Sequence, residues 1–119
     1  MPKPNMFIVY VSDAAASARF YSELFEMEPS FESPAFIAFD LAQDVQLALW
    51  SRGTGDFAAG RTSEVSLNLA GGPERIDEQY RRWAQKGVTV IQAPHDDVFG
   101  RTFLIADPDG NLIRVAPLD

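Results

Sequence analysis

The sequence predicts an α+β fold of two βαβββ modules forming a curved mixed sheet, with helices outside and a concave ligand cleft inside. Three observations carry that expectation. Residues 65–91, VSLNLAGGPERIDEQYRRWAQKGVTVI, run from an alternating strand through a Gly-Gly-Pro break and a helical stretch to a glycine and a β-branched run. Residues 8–29, IVYVSDAAASARFYSELFEMEP, run through strand, polar break and helix in the same order. Each copy is followed by two apolar runs around a turn, AFIAFD with VQLALW and then RTFLIA with NLIRVA.

The first module covers about residues 5–50 and opens with a β-rich strand over residues 6–11. Ser12 or Asp13 offers the side-chain oxygen that caps a helix over about residues 14–25. Phe20, Leu24 and either Ala16 or Ser17 fall at helical spacing and form its inward stripe. MEPSFESP ends the helix, a short strand near residues 28–31 follows, and residues 35–41 and 45–50 make a hairpin. Residues 51–63, SRGTGDFAAGRTS, read as a connector: their glycines do not follow a strand and open a helix, as a phosphate-cradling loop must.

The second module covers about residues 64–117. Val65, Leu67 and Leu69 alternate with Ser66 and Asn68, the mark of a half-buried strand. Pro73 suits the first helical position, and Ile76, Tyr80 and Trp83 follow at i, i+4 and i+7, so Trp83 reads as core. Gly87 stops the helix, and VTVIQ is the next strand. DPDG, residues 107–110, forms a type I turn that pairs residues 101–106 with 111–116 and sets Phe103 opposite Arg114.

At 119 residues the chain suits one compact domain, which buries roughly two thirds of its unfolded surface. A net charge of −7 argues against nucleic acid and anionic membrane as partners and favours neutral or cationic ligands. The chain has no cysteine, which excludes disulfides, thiolate nucleophiles and sulfur-held metals. The apolar run at residues 6–11 is too short for a secretory core, and nothing approaches a span of about 20 apolar residues. A cytoplasmic protein is expected.

Few groups can do chemistry. His95, the only histidine, lies in APHDDVFG with Asp96 and Asp97, either as a general base held by a carboxylate or as a solvated loop residue. Asp107 and Asp109 are explained by backbone hydrogen bonding within their turn, and DPDGN lacks the closing bidentate acid of a calcium loop.

YVSDAAASARFYSELFEMEP near the start and FGRTFLIADPDGNLIRV near the end, with ERIDEQYRRWAQKGVTVI between them, resemble the vicinal oxygen chelate superfamily. Glyoxalase I, extradiol dioxygenases, fosfomycin-resistance enzymes and bleomycin-resistance binding proteins belong to it. The resemblance implies a cleft where the metal enzymes hold a divalent ion with His, Glu or Gln at four strand positions. Carried onto this chain, those positions are Met6, Ala48, Glu64 and Arg114. One carboxylate beside a permanent cation does not make a site for Mg²⁺ or Zn²⁺. No metal or other cofactor is therefore expected, and Glu64 with Arg114 is expected to form an ion pair.

Strand parity then extends the cleft wall from those positions. Met6 and Tyr10 join Gln46 and Trp50 in the first module. Glu64, Ser66 and Asn68 join Arg114, with Arg101 and Phe103 added from the expected pairing across the turn. An aromatic and apolar wall with a few polar groups is the make-up of a small-molecule pocket, and equally of a filled cleft or a dimer interface. The expectation is a metal-free binding protein of the drug-sequestering type, acting as a homodimer and without catalytic residues. The alternatives are an isomerase, lyase or dioxygenase of the same superfamily, using a metal or using Glu64 or His95 to move a proton, and an interaction module.

Overall fold

The computed structural model describes residues 4–51 and 63–118, so all but the ends of the expected connector lies outside the described residues. The chain divides into two compact units, Met1–Arg61 and Thr62–Asp119. The first contains β1 (Met6–Tyr10), α1 (Ala14–Phe25), β2 (Phe31–Glu32), β3 (Phe36–Ala42) and β4 (Val45–Trp50). The second contains β5 (Glu64–Leu69), α2 (Pro73–Ala84), β6 (Thr89–Asp97), β7 (Gly100–Ala106) and β8 (Leu112–Pro117). The sheets are ordered β1-β4-β3-β2 and β5-β8-β7-β6, with the first strand of each parallel to the last and the other neighbours antiparallel. The expected α+β repeat is present in both units.

Local chemistry sets the helix ends. Asp13 is extended, and its Oδ1 accepts the Ala16 amide hydrogen at 3.1 Å, which starts α1. Pro73 occupies the first turn of α2, where a missing N–H costs nothing. The buried stripe of α1 is Ala14, Ser17, Ala18, Tyr21 and Leu24, whereas the expected Phe20 is only half-buried. Tyr21 shares the i, i+3, i+7 rotation with Ala14, Ser17 and Leu24, so it takes the place assigned to its neighbour.

Each sheet packs one face on its helix. Val9, Ile37, Phe39, Leu47 and Leu49 are buried with the α1 stripe, and Phe103, Ile105, Ile113 and Val115 are buried with Ile76 and Trp83 of α2. Removing such a side chain from water stabilises by about 1.5–3 kcal/mol, which fixes which face of each strand turns inward. Among the described residues no helix is long and apolar enough to cross a membrane.

The turn between β7 and β8 corrects the expected pairing. The Gly110 amide donates to the Asp107 carbonyl at 3.0 Å, so the type I turn forms. Gly110 then takes φ +86, and the Asp107 amide donates to the Asn111 carbonyl at 2.8 Å. A type I turn followed by a left-handed glycine is a bulged hairpin loop, one residue longer than the turn alone. Leu104 therefore lies opposite Arg114, and Phe103 opposite Val115. A slip of one residue sends every side chain to the other face.

Candidate functional site

The face of the first sheet that turns away from α1 carries three cross-strand rows. Tyr10, Trp50 and Phe36 form one row, and Phe31 of β2, which lies opposite Ala38 in the next row, turns its ring diagonally onto Phe36. Tyr10 stacks on Trp50 at 6.0 Å between ring centroids, Phe36 meets Trp50 edge-on at 6.3 Å, and Phe31 meets Phe36 at 6.2 Å. Ile8, Ala48 and Ala38 form the next row, in which Ala48 has no exposed surface. Met6, Gln46 and Asp40 form the third, where Gln46 Nε2 and Ser30 Oγ both donate to Asp40 Oδ1, at 2.8 and 3.2 Å. An open depression of about 540 Å³ beside Met6, Asp40, Asp44 and Gln46 is polar and lies away from the aromatic row.

The parity argument thus places Met6, Tyr10, Gln46 and Trp50 on one face. It missed Phe36 and Phe31, although pairing Phe36 with Trp50 across the short β3–β4 turn was the available signal.

In the second sheet, Glu64, Ser66, Asn68 and Arg114 share the face away from α2. Arg114 Nε donates to Glu64 Oε2 at 3.0 Å, so the expected ion pair forms. Arg114 Nη1 donates to Thr102 Oγ1 at 3.3 Å, and the buried Thr102 hydroxyl donates to the Val115 carbonyl at 2.7 Å. Ser66 Oγ donates to Asn68 Oδ1 at 3.0 Å. Phe99, at the β6–β7 turn, sets its ring 5.9 Å from the Arg114 guanidinium carbon. Sequence reasoning missed both residues: Phe99 sits in a turn, which gives no periodic signal, and Thr102 is on β7, whose facing was misassigned with that of Arg101 and Phe103.

Two expected wall residues are on the opposite face. Phe103 has no exposed surface and packs edge-on against Tyr80 at 5.3 Å and Trp83 at 5.9 Å, within the α2 core. Arg101 Nε donates to Asp77 of α2 at 3.0 Å and its Nη1 to Asp96 at 3.3 Å. The Asp77 hydrogen bond is the main influence raising the guanidinium pKa, so this arginine ties the helix to the sheet. Both misplacements follow from the Gly110 bulge.

His95 lies within β6 rather than on a loop, opposite Thr102. Its Nδ1 is 2.9 Å from the Ala93 carbonyl, and its Nε2 is 3.9 Å from Asp97. Asp107 serves its turn, accepting the Asp109 and Asn111 amide hydrogens at 2.8 Å each.

The model of the Glyoxalase/Bleomycin resistance protein/Dioxygenase superfamily matches residues 3–115. The chain belongs to that superfamily. It is 43% identical to the phenazine antibiotic resistance protein EhpR of Enterobacter agglomerans, over 98% of this chain and 92% of that protein. It is similar to protein ATC0852 of Agrobacterium tumefaciens, with 34% identity, a TM-score of 0.84, and coverage of 100% of this chain and 99% of the other. A glyoxalase/bleomycin resistance protein/dioxygenase from Nocardioides shares the fold, with 24% identity, a TM-score of 0.80, and coverage of 97% of this chain and 82% of the other.

The resemblance calls for His, Glu or Gln at four strand positions, and the residues that stand there do not fit a metal. Met6 offers a thioether, Ala48 a buried methyl group, and Arg114 a cation already bound to the single carboxylate, Glu64. A dication placed at Glu64 Oε2 meets the guanidinium Nε 3.0 Å from that oxygen, and repulsion between fixed positive charges opposes it. Among the described residues, no three His, Cys, Asp or Glu gather closely enough to hold a metal.

Proposed function

We propose that this protein is a resistance-type carrier that binds a flat, aromatic, neutral or cationic small molecule without a metal and sequesters it unchanged, as a cytoplasmic homodimer. The observation that carries this reading is the continuous run of ring contacts from Tyr10 through Trp50 and Phe36 to Phe31 on one face of the first sheet, with Trp50 half-buried and Phe31 exposed. Stacking on such a row contributes about 0.5–1.5 kcal/mol per aromatic pair beyond area burial. The 43% identity to a phenazine antibiotic resistance protein supports a planar tricyclic ligand, because phenazine is a flat heteroaromatic of that shape.

Sequestration needs affinity alone. Glu64 and Arg114, paired at 3.0 Å, suit it, since their charges offset each other beside a neutral ring system. The test is titration with phenazine while following tryptophan emission. Quenching that disappears in Trp50→Phe, an affinity unchanged by EDTA, and recovery of unaltered phenazine after long incubation are the expected results. Conversion of the probe, or loss of binding on chelation, overturns the carrier reading.

A further inference from the structure

A hairpin tip is ordinarily built from glycine, asparagine, aspartate or serine, and the β6–β7 tip is instead Val98-Phe99. Val98 is 98% exposed and Phe99 47% exposed, so neither is there to fill the core. The tip is nevertheless held in place. Asp97 pairs with Gly100 across its base, and Asp97 Oδ1 accepts the Val98 amide hydrogen at 2.7 Å. Gly100, at φ +116, packs so closely on Pro117 that a Cβ there would lie 2.8 Å from the proline Cγ. From the other side, Arg114 is fixed by Glu64 of β5 and Thr102 of β7, and it lies over the Phe99 ring.

An exposed aromatic ring held by a backed guanidinium is a preorganised stacking surface. We infer that Phe99, positioned by Arg114, is a ligand-stacking residue that selects planar aromatic ring systems over saturated ones of the same outline. This rests on the carrier reading and extends it to a specific side chain in the second module. The guanidinium, 5.9 Å from the ring centroid, restricts the ring on one side, so part of its side-chain entropy is given up before the ligand arrives. A saturated ligand gains contact area there but no ring–ring alignment.

The experiment measures affinity by calorimetry for phenazine and for its saturated counterpart, perhydrophenazine, in the full chain. Phe99→Ala is expected to weaken phenazine by about three- to tenfold while leaving perhydrophenazine within about twofold. Phe99→Trp is expected to keep the affinity and, in a Trp50→Phe background, to restore emission that phenazine quenches. Val98→Ser, at the same tip, is expected to change neither ligand. Arg114→Lys, which keeps the charge and loses the planar fork, is expected to weaken phenazine and to add little further loss in the double variant with Phe99→Ala. If the unmodified protein binds phenazine and Phe99→Ala binds it equally well, the role of Phe99 is overturned and the carrier reading stands. If the unmodified protein binds no planar aromatic compound, both are overturned.

Discussion

A methyl group added at position 100 has nowhere to go. It would sit 2.8 Å from Pro117 Cγ on a backbone already at φ +116, a region that L side chains rarely adopt. Position 110 separates the two effects, because Gly110 has φ +86 but nothing within 4 Å of an added Cβ. Gly110→Ala is therefore expected to cost about 1 kcal/mol, the penalty of left-handed backbone alone. Gly100→Ala is expected to cost about 2–4 kcal/mol, because the proline ring must also give way. Urea unfolding with an unchanged slope measures both. Equal losses would mean that the proline yields freely, and that the tip carrying Phe99 is held less firmly than its packing implies.

At the scale of elements, the β7–β8 hairpin decides which residues share a face with Arg114. Its loop holds one residue more than a plain type I turn, and that residue, Gly110, puts Leu104 rather than Phe103 opposite Arg114. Deleting Gly110 would force a choice between the turn and the register. Keeping the turn directs Phe103 and Ile105, which have no exposed surface, toward the Arg114 face and leaves Trp83 without its ring partner. Because several core side chains each contribute about 1.5–3 kcal/mol by burial, the deletion variant is expected to lose cooperative folding. Collapse of amide dispersion in its NMR spectrum checks this; a native-like spectrum would show that the loop tolerates a tighter turn.

The same hairpin explains what was legible in the sequence. Both helices were, because Asp13 and Pro73 act within a few residues, but each buried stripe differs from the expected one by one position, Tyr21 replacing Phe20 and Gln79 being buried where Tyr80 is half-buried. The first-sheet face was legible too, since two parallel strands in simple register obey a period of two. Registers that depend on a bulge were not: one glycine conformation moved Arg101 and Phe103 to the helix side. The length of β6 is likewise set by pairing with β7, through two register shifts, which is why His95 is a strand residue and not a loop residue. Phe99 belongs to no periodic pattern and acquires meaning only when Arg114 is seen above it.

For the whole molecule, the net charge of −7 acts on ligands before any contact is made. Glu64 and Arg114 neutralise each other at short range, so the local pair gives little preference between a neutral and a cationic ring system. The long-range field does, because the summed acidic charge raises the encounter rate of cations and ionic strength screens it. Phenazine and N-methylphenazinium have nearly the same outline and differ by one positive charge. Stopped-flow quenching of Trp50 is expected to give faster association for the cation at about 0.01 M ionic strength, where the screening length is about 30 Å. The advantage should vanish near 1 M salt, where that length is about 3 Å, while the neutral probe keeps one rate throughout. On the proposed reading dissociation rates should hardly change with salt, since aromatic stacking rather than charge pairing would hold the ligand once bound. A cation whose dissociation accelerates steeply with salt would instead reveal a carboxylate in direct contact with it, and Glu64 would then have to leave Arg114 to supply that contact.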